Sequence, residues 1–133
     1  MKKPGVLDSF ALMAFLGRER GFESVRTLLR EAEASSEPLL INEINVGEVY
    51  YLTARERSLG QADAFLTLLE TLPIRPVSNT FPEVLEAARL KAQFPISYAD
   101  AFAVATALRA GANLITGDPE FRVLRQLVEI HWI

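Results

Sequence analysis

The stretch ISYADAFAVATALRAGANLIT, residues 96–116, decides the fold. Tyr98 to Ala110 is a nearly unbroken apolar run with helical spacing, Gly111 ends it, and Asn113 to Thr116 reads as a short strand. So apolar a helix belongs inside a domain, where its alanines let it press close to a sheet. Asp100 stands at the mouth of this helix, on the same face as Ala103, Val104 and Ala107. An unpaired carboxylate is costly to bury, so Asp100 needs a cation, a donor set or a proton.

Working outward, the same strand and helix alternation recurs. GVLD (5–8) reads as a strand ending in an acid, and SFALMAFLG (9–17) as a short helix stopped by Gly17. FESVRTLLREAEAS (22–35) is amphipathic, with Phe22, Val25, Leu28 and Leu29 on one face. PLLI (38–41) is a second strand, followed by a helix over 42–58 in which Ile44, Val49, Tyr51 and Leu52 supply apolar contacts, and by another over 60–72. IRPV (74–77) is a third strand, placed at a sheet edge by Pro76. A helix over 80–94 has Thr80 as its cap and Pro82 in its first turn. After the fourth strand, NLIT (113–116), GDPEFRVLRQL makes a short helix or turn and VEIHWI (128–133) a fifth strand.

Strands separated by helical segments pair in parallel through right-handed crossovers. The expected fold is therefore α/β, a three-layer α/β/α sandwich on a central parallel sheet of about five strands, with strands one and four at the centre. At 133 residues, half of them hydrophobic and with no linker-like stretch, the chain is expected to form a single domain over 1–133.

Composition removes several chemistries. There is no cysteine, which excludes disulfides, thiolate catalysis and cysteine-based metal sites and fits a reducing cytoplasm. His131, the only histidine, lies among the last three residues, which argues against a Ser-His-Asp triad or a histidine-rich zinc site. MKKPGVLDSFALMAFLG resembles a signal peptide only superficially: Asp8 interrupts the apolar run and no small-residue cleavage site follows. No stretch approaches the roughly 18 apolar residues of a membrane span, so a soluble, unexported protein with no membrane partner is expected. The formal charge of −3 runs against a broad nucleic-acid footprint.

Chemistry must then rest on carboxylates. Glu31, Glu33, Glu56, Glu70 and Glu86 lie opposite apolar stripes and read as solvated charge. Taken singly, Asp8 reads as a helix cap, Asp118 as a cap before Pro119, and Asp100 as part of a capping box with Ser97. Glu48 lies in mid-helix on the face of Ile44, Tyr51 and Leu52, and so points to the core side. Together they acquire another meaning, because open parallel sheets bind ligands beyond the carboxyl ends of their strands. Asp8 ends strand one and Asp118 follows strand four; if those strands are neighbours, Asp100 and Glu48 can join them from adjacent helices. Four clustered anions raise one another's pKa unless a cation intervenes. Oxygen-only ligation suits Mg2+ or Mn2+, which can activate water and neutralise charge at a phosphodiester.

The segments VLDSFALMAFL, INVGEVYYL, SYADAFAVATAL and LITGDPEF resemble, in order and spacing, the acidic motifs of PIN-domain ribonucleases, and the short form resembles VapC-type toxins of toxin-antitoxin pairs. The resemblance implies that Asp8, Glu48, Asp100 and Asp118 bind the metal and carry catalysis, with Ser9 and Thr116 as polar supports. It further implies Mg2+- or Mn2+-dependent cleavage of RNA, a homodimer, and inhibition by a cognate antitoxin that covers the site. Residues 19–43 and 58–95 carry no matching motif. Of the arginines that could form local positive rims, Arg18 and Arg20 are the best placed to contact RNA. Two other functions compete. A non-catalytic interaction module would use the acids only as caps. A phosphoryl-transfer domain would need an Asp-x-Asp pair or a late lysine, but DSF lacks the second acid and no lysine follows Lys91.

Overall fold

The computed structural model describes residues 3–133, so Met1 and Lys2 lie outside the described residues. The elements are β1 (Gly5–Leu7), α1 (Ser9–Leu16), α2 (Phe22–Ser35), β2 (Leu39–Asn42), α3 (Glu43–Glu56), α4 (Leu59–Thr71), β3 (Ile74–Val77), α5 (Phe81–Gln93), α6 (Tyr98–Ala110), β4 (Asn113–Thr116), a 3-10 helix (Pro119–Leu124) and β5 (Ile130–Trp132). The strands form one sheet in the order β3-β2-β1-β4-β5, and every neighbouring pair is parallel. β3 lies at an edge, where Pro76 withholds no hydrogen bond from a second neighbour.

Side-chain alternation along the central strands divides the core between two faces. Val6, Leu40 and Leu114 pack against Ala101, Ala103, Val104 and Ala107 of α6. Leu7, Ile41 and Ile115 point the other way, towards Leu12 of α1, Val25 and Leu29 of α2, Val49 of α3 and Phe65 of α4. The α/β/α sandwich follows from that division. From β1 the chain builds one half of the sheet through β2 to β3, then returns through α5 and α6 to place β4 on the opposite side of β1. The connections thus diverge between β1 and β4, where parallel sheets open a crevice.

Helix ends follow their local chemistry. The Thr80 side chain accepts from the Glu83 N–H while Glu83 reaches back to the Thr80 N–H, completing a capping box at α5. Gly111 ends α6 at φ 61°, a conformation that glycine adopts without the Cβ clash of other residues. Arg109 pairs with Glu83 at 2.8 Å and Glu86 at 3.0 Å, linking α6 to α5 at the surface.

α3 departs from its sequence reading. Ile44 and Tyr51 are 41% and 46% exposed, whereas Asn45 and Val49 are fully buried. An amide occupies a core position and displaces the apolar pattern, so the inward face is rotated from the one its hydrophobic residues describe. Glu48 is consequently half-buried at the flank of the helix and not turned into the core.

Because α6 meets the sheet through fully buried Ala103, Ala103→Leu should overpack that layer. The expected loss is about 1–3 kcal/mol, read from urea denaturation, with the far-ultraviolet circular dichroism of the folded state retained.

Candidate metal centre

Asp8 follows β1 directly and is 1% exposed. Its Oδ1 accepts from the Ala11 N–H at 2.7 Å, capping α1, and its Oδ2 accepts from the Thr116 hydroxyl at 2.5 Å. Thr116 ends β4, next to β1, and its oxygen also accepts from the Asp118 N–H at 3.0 Å. One buried hydroxyl therefore joins the acid after β1 to the turn that carries the acid after β4. Gly117 lets the Phe10 ring and the Ile133 carbonyl approach that turn closely. A Cβ there would stand 2.5 Å from Cε1 of Phe10 and 3.2 Å from the Ile133 carbonyl.

Asp118 caps the 3-10 helix, its Oδ1 accepting from the Glu120 N–H at 2.9 Å. Asp100 enters from the first turn of α6, where its N–H donates to the Ser97 oxygen at 3.1 Å. The capping roles expected of Asp8, Asp118 and Ser97 are thus real. A carboxylate has two oxygens and several lone pairs, so capping does not exhaust it.

Asp100, Asp118 and Glu120 each bring a carboxylate oxygen to within 4.8 Å of the other two. Asp8 and Glu48 lie outside this tight group, although both act on it electrostatically. Burial pushes the Asp8 carboxyl up to about 7, against the bonds from Thr116 and Ala11, and the charges of Asp100 and Asp118 raise it further. Burial likewise pushes Asp100 up to about 6; hydrogen bonding with Ser97 opposes the rise, and the charges of Asp118 and Glu48 add to it.

Glu120 is the acid that sequence reasoning missed. In the sequence it is an ordinary first-turn acid after Asp-Pro, and only the fold of the 3-10 helix turns it towards Asp100.

Glu48, Asp100, Asp118 and Glu120 line a cleft of about 470 Å3, with Ser9 and Arg20 also on its wall and Phe10, Met13 and Leu52 as an apolar side. Asp8 and Thr116 are buried and do not line it. Arg18 does not line it either: its guanidinium lies 5.4 Å from the centre of the Phe22 ring. A larger cavity of about 610 Å3 lies at the amino-terminal ends of β1 and β4, beside Gly5 and Asn113, away from the acids.

The model of the PIN domain matches residues 5–127. The chain resembles the VapBC2 structure from Rickettsia felis, bound to a promoter DNA fragment, at 13% identity and a TM-score of 0.72, covering 97% of this chain and 98% of that one. It resembles DNA-bound VapBC from Salmonella typhimurium at 12% identity and a TM-score of 0.70, covering 98% of each. It resembles VapC20 of Mycobacterium tuberculosis, described as a sarcin-ricin loop cleaving toxin, at 18% identity and a TM-score of 0.67, covering 90% and 93%. No curated protein matches the sequence.

The raised acids have a consequence for stability. Both shifts mean that the folded state holds protons more tightly than the unfolded chain, whose aspartates have the ordinary value of 3.8. The stabilisation is therefore complete below that value and is lost as pH rises through about 6 for Asp100 and about 7 for Asp8. Thermal melts in a chelator should show the midpoint falling across this window. Asp8→Asn, which removes the buried charge, should raise the midpoint at pH 8 by roughly 5 °C.

Proposed function

The chain belongs to the PIN-domain family, and from that premise we propose that it is a Mg2+- or Mn2+-dependent endoribonuclease, the VapC-type toxin of a toxin-antitoxin pair. It acts in the cytoplasm, as one domain and as a homodimer. The observation that carries the reading is the gathering of Asp100, Asp118 and Glu120 in the cleft beyond adjacent β1 and β4, with Glu48 on the cleft wall and Asp8 buried beside it in electrostatic contact.

The residues fit a hard divalent ion. Every donor is an oxygen, three carboxylates stand within 4.8 Å of one another, and burial with mutual repulsion raises the pKa of Asp8 and Asp100. Asp100, Asp118 and Glu120 would hold the ion, with Asp8 and Glu48 completing its acidic surroundings. When bound, it supplies a lowered water pKa and a counter-charge for the reacting phosphate.

The chain's own residues do the rest. Thr116 and Ala11 fix the Asp8 carboxylate in one orientation, so its charge is directed without reorganisation. Glu48, half-buried on the cleft wall, would accept the proton released by the attacking water. Arg20 binds the phosphate backbone at the same cleft, while Arg18, stacked on Phe22, contributes less. The −3 charge of the chain is compatible with RNA because five of its 17 acids lie at or beside the site where a cation would offset them.

RNA as the substrate class is supported by the likeness to the sarcin-ricin loop cleaving toxin. An antitoxin partner is supported by the likeness to VapBC structures and by apolar surface at the cleft, where Phe10 is 43% exposed. Leu59 and Phe81, 66% and 72% exposed, are further apolar surface of the kind that a second copy or an antitoxin buries. No helix of the described residues is long and apolar enough to cross a membrane.

Asp100→Asn and Asp118→Asn should each lower Mg2+- or Mn2+-dependent cleavage of RNA by about 100-fold or more, since each removes several kcal/mol of charge stabilisation. Chelator should abolish cleavage by the wild type, and the variants should no longer arrest growth when expressed. Full activity in both variants, or cleavage indifferent to chelator, would sink the metal mechanism.

A further inference from the structure

Asn45 is not one of the clustered acids, yet it touches the neighbours of two of them, Asp8 and Asp100, and shares a helix with a third, Glu48. It is fully buried on α3, three residues before Glu48. Its Nδ2 donates to Oγ of Ser9 at 3.0 Å, one residue after Asp8, and to the carbonyl of Ala99 at 3.1 Å, one residue before Asp100. A single amide thus ties together the three helices that carry or follow those acids, at the end where the acids emerge.

The chemistry of the two partners settles which way the amide faces. The Ala99 carbonyl can only accept, so the NH2 group must point to it. The same NH2 group then faces Ser9, whose oxygen becomes an acceptor on that side. The Ser9 hydroxyl proton is left to point elsewhere, and Ser9 lines the acid cleft. Oδ1 of Asn45 is buried and accepts no hydrogen bond from any described residue.

We propose that Asn45 is a positioning residue: its amide clamps the entrances of α1 and α6 beside Asp8 and Asp100 and turns the Ser9 hydroxyl proton into the cleft, as a donor to an oxygen of the bound phosphate. The proposal rests on the metal-dependent nuclease reading and adds a residue to it. Ser9 would be a direct contact, whereas Asn45 acts through Ser9 and through the Ala99 carbonyl.

A buried amide that only stabilises the fold should behave differently from one that positions a site, and α3 supplies the control. Asn42, the fully buried cap of the same helix, bonds to Asn79 and Thr106. Mn2+ affinity by calorimetry and single-turnover RNA cleavage would be measured on the full chain for the wild type, Asn45→Ala, Ser9→Ala, the double variant and Asn42→Ala.

Asn45→Ala is expected to weaken Mn2+ binding by about 10-fold or more, the usual effect of losing a group that orients ligands. Cleavage at saturating RNA should fall in Asn45→Ala and Ser9→Ala, and the double variant should cleave no more slowly than the worse single one. Asn42→Ala should lose thermal stability while keeping wild-type Mn2+ affinity. Asn45→Ser, too short to span both acceptors, should repeat the alanine result and replaces it if Asn45→Ala does not fold. Unchanged Mn2+ affinity in the Asn45 variants, additive losses in the double variant, or an equal affinity loss in Asn42→Ala would overturn the proposal while leaving the nuclease reading intact. A wild type that binds no Mn2+ and cleaves no RNA would overturn both.

Discussion

A carboxylate buried at the carboxyl end of the central strand is the constraint to which the rest of the molecule answers. Asp8 is 1% exposed, and its two bonds come from different parts of the chain. The Ala11 N–H is local, available to any helix that starts after β1. The Thr116 hydroxyl is 108 residues away and reaches Asp8 only because β4 pairs with β1, with Leu7 opposite Ile115. Side chains alternate along a strand, so a slip of one residue in that pairing would send Thr116 to the other face and leave Asp8 with one donor fewer. The register of two central strands and the chemistry of one buried acid therefore depend on each other.

The order of the sheet serves the same end. Because β2 and β3 lie on one side of β1 while β4 and β5 lie on the other, α1 and the turn after β4 leave the sheet in diverging directions. The space between them is where Asp118 and Glu120 can approach Asp100. Packing closes the arrangement from behind. The alanines of α6 let that helix lie close to Val6 and Leu114, which carries its first turn, and Asp100 with it, to the crevice.

What was legible in the sequence was whatever local chemistry controls. The all-parallel order with β3 outermost follows from strand and helix alternation and from Pro76, and Gly111 and Thr80 mark helix ends by mechanisms that need no distant partner. Glu48 and Asp100 stood out because apolar neighbours on their helix faces made a plain solvated acid implausible, whereas Asp8 and Asp118, each a plain cap when taken singly, acquired meaning from their places at the ends of strands. The inward face of α3 was not legible, because Asn45 holds a core position and its partners Ser9 and Ala99 are 36 and 54 residues away. Glu120 was hidden for the opposite reason. It is exposed, and exposed acids in the first turn of a helix are common, so nothing short of the tertiary approach to Asp100 distinguishes it.

The two buried asparagines of the β2-α3 junction show how scaffold and site divide within one short segment. Asn42 and Asn79 exchange bonds reciprocally, each amide donating to the other's oxygen at 2.7 and 3.0 Å, and Asn42 also reaches Thr106. Its oxygen further accepts from the Ile44 N–H, so both ends of the amide are satisfied at a helix start that must not move. Asn45, one turn on, spends both of its bonds on the supports of Asp8 and Asp100 and leaves its own oxygen without a donor from the described residues. The same helix thus completes its bonding at Asn42, where it starts, and at Asn45 directs both amide donors to the residues beside Asp8 and Asp100.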